Sequence, residues 1–186
     1  MKTIRNSLFE TNSSSVHSIV VNGQDEYSYK NFDCVNLDEF GWGYGEDNLL
    51  KTPDQKLSYL FTYAICRLME FDDEFSKKEK NIRQTSSFGS YEAEFVRRIN
   101  EYIHDDNSEF MTYKETQGID DLVYFVKEHC DDFRNFEIID YGGYYYIDHQ
   151  SLECDSLQEL LDYNGVSIEE LVFNNKYQIE ISNDNR

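Results

Sequence analysis

Three scarcities mark this chain: one proline in 186 residues, four cysteines without a Cys-x-x-Cys pair, and 17 basic residues against 37 acidic ones. Each narrows what the protein can do. Cys34, Cys66, Cys130 and Cys154 are widely spaced, so reduced thiols are expected rather than a clustered metal site. Apolar runs reach only a few residues, too short to span a bilayer, and the chain opens without the basic, apolar and small-residue succession of a signal peptide. A cytoplasmic protein without membrane association is therefore expected. The formal charge of −20 repels a nucleic-acid backbone at long range, which argues against free DNA binding and towards a cationic partner. There is no P-loop, no GxGxxG opening a helix, no GxSxG elbow and no HExxH, so the best-marked NTPase, dinucleotide-binding, hydrolase and zinc-protease classes drop out.

Aromatics are abundant. Acidic chains are often disordered, but disordered chains are poor in aromatics, and this one has 15 Tyr, 13 Phe and one Trp. A folded protein of one domain, or of one core with an inserted subdomain, is expected from the length.

The β-branched run Ser18-Ile19-Val20-Val21, closed by Asn22-Gly23, reads as a strand entering a turn. A second strand is expected between Cys34 and Phe40, running into Gly41-Trp42-Gly43-Tyr44-Gly45, where glycine leaves Trp42 and Tyr44 on a loop that can serve as a binding lip. Thr52-Pro53-Asp54-Gln55 combines a cap, proline at the first helical position and Gln three residues after the cap. Leu57, Leu60, Phe61, Ala64, Ile65 and Leu68 follow at helical spacing, which predicts an amphipathic helix of about five turns. Further helices are expected over 91–104 and 119–129.

From Phe136 to Asp148 the period becomes two, and Gly142-Gly143 between the apolar stretches reads as a tight hairpin. Two short helices with capping boxes at Ser156 and Ser167 follow, separated by Asn164-Gly165, and Tyr177 to Ser182 alternates as a returning strand. The expected fold class is α+β: a small mixed or antiparallel sheet core built from both chain ends, 1–51 and 133–186, with an α-helical insertion over 52–132.

Chemistry concentrates in Glu10 to His17. Glu10, Asn12, Ser13, Ser14, Ser15 and His17 place a carboxylate, an amide, three hydroxyls and an imidazole in one short block. Such a set can hold a phosphate and move a proton, because histidine titrates near neutrality. The same residues also make Asx and Ser/Thr turns for purely structural reasons. His149 and Ser151 end the expected hairpin. If the first strand neighbours it, His17 and His149 can share a site as the acid and base of metal-free RNA cleavage; otherwise His149 and Ser151 merely finish a turn. Lys77, Lys78, Lys80 and Arg83 form a basic cluster that is either a solvated face or the place where RNA phosphate is tolerated. No metal site and no cofactor are expected: His129 and Cys130 are adjacent on a helix and point apart, and the run Asp72-Asp73-Glu74 reads as solvated charge.

The stretch Arg5-Asn6-Ser7-Leu8-Phe9-Glu10-Thr11-Asn12-Ser13-Ser14-Ser15-Val16-His17 resembles the opening of a group of proteins from phages and mobile elements of Gram-positive bacteria. Tyr146-Ile147-Asp148-His149-Gln150-Ser151 and Phe173-Asn174-Asn175-Lys176-Tyr177 are also similar to pieces of that group, so the resemblance covers both ends and not the helical middle. Within it, the chain resembles type II-A anti-CRISPR proteins that act on the RNA-guided effector nuclease and cause truncation of its guide RNA. The resemblance implies a β-rich core with a helical insertion needed for inhibition, the effector with its guide RNA as partner, and a bacterial host cytoplasm. It singles out the Glu10–His17 block, with His149 and Ser151 second. Two other functions fit the residues: an acidic nucleic-acid mimic that only blocks a DNA channel, and a free-standing phosphodiesterase, which the charge disfavours.

Overall fold

The computed structural model describes residues 16–40, 49–71, 96–97, 99–101, 117–140, 146–147 and 157–182. Within them the protein is α+β. Strand β1 (Val16–Val21) pairs antiparallel with the last strand, β7 (Tyr177–Ser182), and β4 (Leu49–Leu50) pairs on the other side of β7, giving the order β1-β7-β4. Strands from both chain ends thus build one small sheet. Its inner face follows from period two: His17 lies opposite Ile181 and Ile19 opposite Ile179, with Leu50 also paired to Ile179.

The stretch expected as a strand between Cys34 and Phe40 is split into β2 (Cys34–Asn36) and β3 (Glu39–Phe40). The expected diglycine hairpin falls largely outside the described residues, and the described parts of its two arms pair with other strands. β5 (Glu137–Ile139) pairs parallel with β2, and β6 (Tyr146–Ile147) pairs parallel with β3. Turn chemistry is a local signal, whereas partner choice follows burial. Val35 beside Ile138 and Phe40 beside Ile147 are all buried against the same core, an arrangement that two strands paired only with each other do not provide. Gly142 and Gly143 lie outside the described residues.

Helix α1 (Pro53–Phe71) starts as its sequence predicts. The Gln55 amide donates to Thr52 Oγ1 at 3.3 Å and the Thr52 amide donates to Gln55 Oε1 at 3.1 Å, closing a reciprocal cap. The helix is not amphipathic in its setting, because every residue from Lys56 to Ile65 is buried. Its polar positions meet polar groups of neighbouring elements. Ser58 Oγ donates to the Asn36 carbonyl, and the Asp38 amide donates to Thr62 Oγ1 at 3.3 Å. These two hydroxyls, one helical turn apart, hold the chain at and just after β2.

Helix α2 (Gln117–Glu128) buries Ile119, Leu122, Val123, Phe125 and Val126. Residues 96–97 and 99–101 are helical, with Val96 and Ile99 buried as the periodicity predicts. Asn100 fastens this helix to β5: its side-chain oxygen accepts from the Ile138 amide at 2.8 Å and its nitrogen donates to the Ile138 carbonyl at 2.9 Å. Helices α3 (Leu157–Asn164) and α4 (Ile168–Phe173) are separated by Gly165, whose φ of 61° ends the first, and Ser167 and Glu170 form the capping box of the second. One hydrophobic cluster joins residues of α1, α2, α3 and α4 to those of the strands.

Candidate functional site

Of the residues singled out by sequence, His17 falls within the described structure. Glu10, Asn12, Ser13, Ser14, Ser15, Trp42, Tyr44, Lys77, Lys78, Lys80, Arg83, His149 and Ser151 lie outside the described residues.

His17 is a core residue. It sits on the inward face of β1, is 7% exposed, and places Nδ1 3.1 Å from the Tyr59 hydroxyl of α1. The two rings are tilted, 5.7 Å apart, and Tyr59 in turn meets Phe40 edge-on at 5.2 Å. An imidazole held this way ties β1 to α1. β1 is paired with β7, and β6, which precedes His149, is paired with β3 in a different sheet; the site expected to be shared by His17 and His149 involves residue 149, which lies outside the described residues. On β1, the buried His17 and the partly buried Ile19 lie opposite the buried Ile181 and Ile179.

Lys56 lies on α1 and is fully buried. Its Nζ donates to the carbonyls of Asn174 at 3.2 Å and Val172 at 3.5 Å, at the C-terminal end of α4, where the helix leaves its last carbonyls without intrahelical partners. Burial lowers its pKa to about 8. The ammonium closes a helix end, with both acceptors supplied by backbone.

Among the described residues, Cys34, Cys66 and Cys130 are not in disulfide bonds. Burial pushes the Cys130 thiol up, and the carboxylates of Asp33, Asp131 and Asp132 raise it further against a backbone hydrogen bond that lowers it. Among the described residues no group of three or more His, Cys, Asp or Glu side chains is placed to hold a metal ion, and no helix is long and apolar enough to cross a membrane.

Among the described residues, a groove with a volume of about 810 Å³ lies between α2, α3 and the turn into α4. Its apolar floor is Phe125, Leu161, Val166 and Ile168, and its rim carries Asp121, Glu128, Asp162 and Glu169 with Tyr124. Among the described residues that line it, only His129 can carry positive charge. Behind the floor, Phe125, His129 and Phe173 form an aromatic cluster with centroid separations of 4.7, 4.8 and 5.4 Å, which fixes α2 against α4.

No family model, curated protein or solved structure matches this chain. Its charge and its surfaces are therefore what point to a function. In the groove, partial burial holds the Asp121 carboxyl above its usual range, with the neighbouring Asp120 charge adding to the effect. Just outside the groove, Tyr29 is 61% exposed, and its phenol is raised first by desolvation and then by the nearby Glu169 carboxylate. Such a rim attracts a cation and repels a phosphate. Part of this signal is visible in the sequence, since Asp121, Tyr124 and Glu128 recur at helical spacing on the polar side of α2. That Asp162 and Glu169 face the same groove depends on the packing of α3 and α4.

Proposed function

We propose that this protein inhibits a bacterial CRISPR effector nuclease by docking on its basic surface and promoting truncation of the guide RNA bound there. The observation that carries this reading is a charge of −20 on a chain that nonetheless folds around a hydrophobic core. A surface of that sign is drawn to the positively charged channel in which such an effector holds its heteroduplex, and the attraction speeds association and weakens with salt. The resemblance of the two chain ends to guide-truncating anti-CRISPR proteins supports the choice of effector. The acidic groove supports a protein surface, rather than free nucleic acid, as the first contact.

A second reading is favoured by a separate observation. His17 is buried against Tyr59, which suits a scaffold more than an exposed proton donor. On that reading the protein is an acidic mimic that only blocks the DNA channel.

One experiment separates them. The purified chain is mixed with a type II-A effector and its guide, the RNA is resolved on a denaturing gel, and lanes omit the effector or carry His149→Ala or the His17→Ala, His149→Ala pair. Shortened guide only when effector and wild-type chain are both present is the expected result. Intact guide with blocked DNA cutting replaces it with the mimic, and shortening without effector makes the chain a phosphodiesterase. The His149→Ala lane guards against unfolding caused by loss of the buried His17.

A further inference from the structure

We infer that the groove between α2, α3 and the α3–α4 turn is a docking site for an arginine-bearing, partly apolar polypeptide segment. The inference deepens the proposed function and rests on its cationic protein partner, while assigning the contact to a defined surface.

Three features of the groove select this occupant. The first is size: about 810 Å³ is the scale of several side chains rather than of a single ion. The second is charge. Asp121 and Glu128 on one wall face Asp162 and Glu169 on the other, so a segment lying between them meets carboxylates from both sides. Among the described residues no Lys or Arg pairs with these carboxylates, and Asp162 accepts from the Gln158 amide on its own helix at 2.6 Å. The third is the pairing of an exposed aromatic, above a floor with the partly buried Ile168, with that charge. Tyr124 is 66% exposed on the α2 wall, and Phe125 and Leu161 form a floor.

Arginine fits this combination better than lysine. Its planar guanidinium stacks on a tyrosine face while its fork of N–H donors reaches a carboxylate in two parallel bonds, whereas an ammonium offers a strongly hydrated point charge. The exposed Tyr124 and the partly buried Ile168 explain why neighbouring residues of the segment should be partly hydrophobic: a purely polar segment leaves their apolar surface uncovered. A nucleic-acid occupant is excluded by the sign of the rim.

The test measures binding of a short fluorescein-labelled peptide of alternating arginine and leucine to the full chain by fluorescence anisotropy. Three variants are compared with wild type: Glu128→Lys with Asp162→Lys, Tyr124→Ala, and a control, Glu26→Lys with Glu137→Lys, that makes the same change in net charge at exposed positions away from the groove. Circular dichroism establishes that each is folded. We expect the groove reversal to raise Kd by at least about tenfold, Tyr124→Ala to raise it several-fold, and the control to change it far less. Replacing arginine by lysine in the peptide should weaken binding several-fold.

Equal weakening by control and groove variants, or no binding to wild type, overturns the inference. Because the readout is peptide binding to the isolated chain, it stands or falls whatever the guide-RNA gel shows.

Discussion

Lys56 is the residue whose chemistry departs furthest from its solution behaviour. An ammonium with no exposed surface is stabilised by two backbone carbonyls, and no carboxylate among the described residues lies within ion-pair distance of it. Its pKa falls from 10.5 to about 8, so the native state loses this proton earlier than the unfolded state as pH rises. Between those values the unfolded chain binds more protons, and stability from this group increases with pH; below about 8 both states are charged and the burial cost is present in full. The shift corresponds to at most about 3 kcal/mol. Lys56→Met, measured by urea denaturation, should therefore be neutral or stabilising at pH 7, by roughly 1 kcal/mol once the two lost hydrogen bonds are counted. Its advantage over wild type should shrink as pH is raised towards 10. A variant less stable than wild type by the same margin at both pH values would contradict this account. His17 is the complementary case. Its residue type and hydroxyl-rich neighbourhood suggest chemistry, but its position on the same strand face as Ile19 already turns it towards a core, and Tyr59 supplies the polar atom that makes a buried imidazole tolerable.

At the scale of elements, backbone at the turn after β1 closely approaches the backbone of residues 175–176. The amides of Asn22 and Gly23 both donate to the Lys176 carbonyl, at 3.1 and 3.3 Å, and a Cβ on Gly23 would collide with the carbonyl of Asn175. At Gly165 the space is open and only the positive φ of 61° selects glycine. Gly165→Ala should thus cost about 1 kcal/mol, and Gly23→Ala about 2 kcal/mol or more, because backbone atoms must move to admit it. Denaturant midpoints for the two variants check the order; the reverse order would mean that the β1–β7 turn yields easily. Elements with their own start and stop signals are legible in the sequence. The Thr52–Gln55 and Ser167–Glu170 caps and the Gly165 stop all form as the residues predict. The pairing of 137–139 and 146–147 is not legible in the same way, because their partners β2 and β3 lie about a hundred residues away in the chain.

For the whole molecule, the strongest influence outside the core is self-repulsion. A charge of −20 on a compact chain opposes folding, and salt screens it over about 10 Å at 0.1 M. Raising NaCl from low to moderate concentration should raise Tm by several degrees, read by differential scanning fluorimetry, and a Tm that falls would show that local ion pairs such as Lys30 with Asp54 outweigh the net charge. Binding to the arginine–leucine peptide should move the opposite way, weakening as salt is added, since the same screening acts on an attraction. The sequence by itself determined the sign of the molecule's field, the α+β class, the helix caps and the returning strand, because composition and short-range hydrogen bonding do not depend on distant neighbours. Tertiary packing set which strands pair, that α1 is buried on every side from Lys56 to Ile65, that His17 belongs to the core, and that carboxylates of α2, α3 and the α4 turn line one groove. Those outcomes depend on which distant surfaces exclude water together, and no local pattern in the chain encodes that.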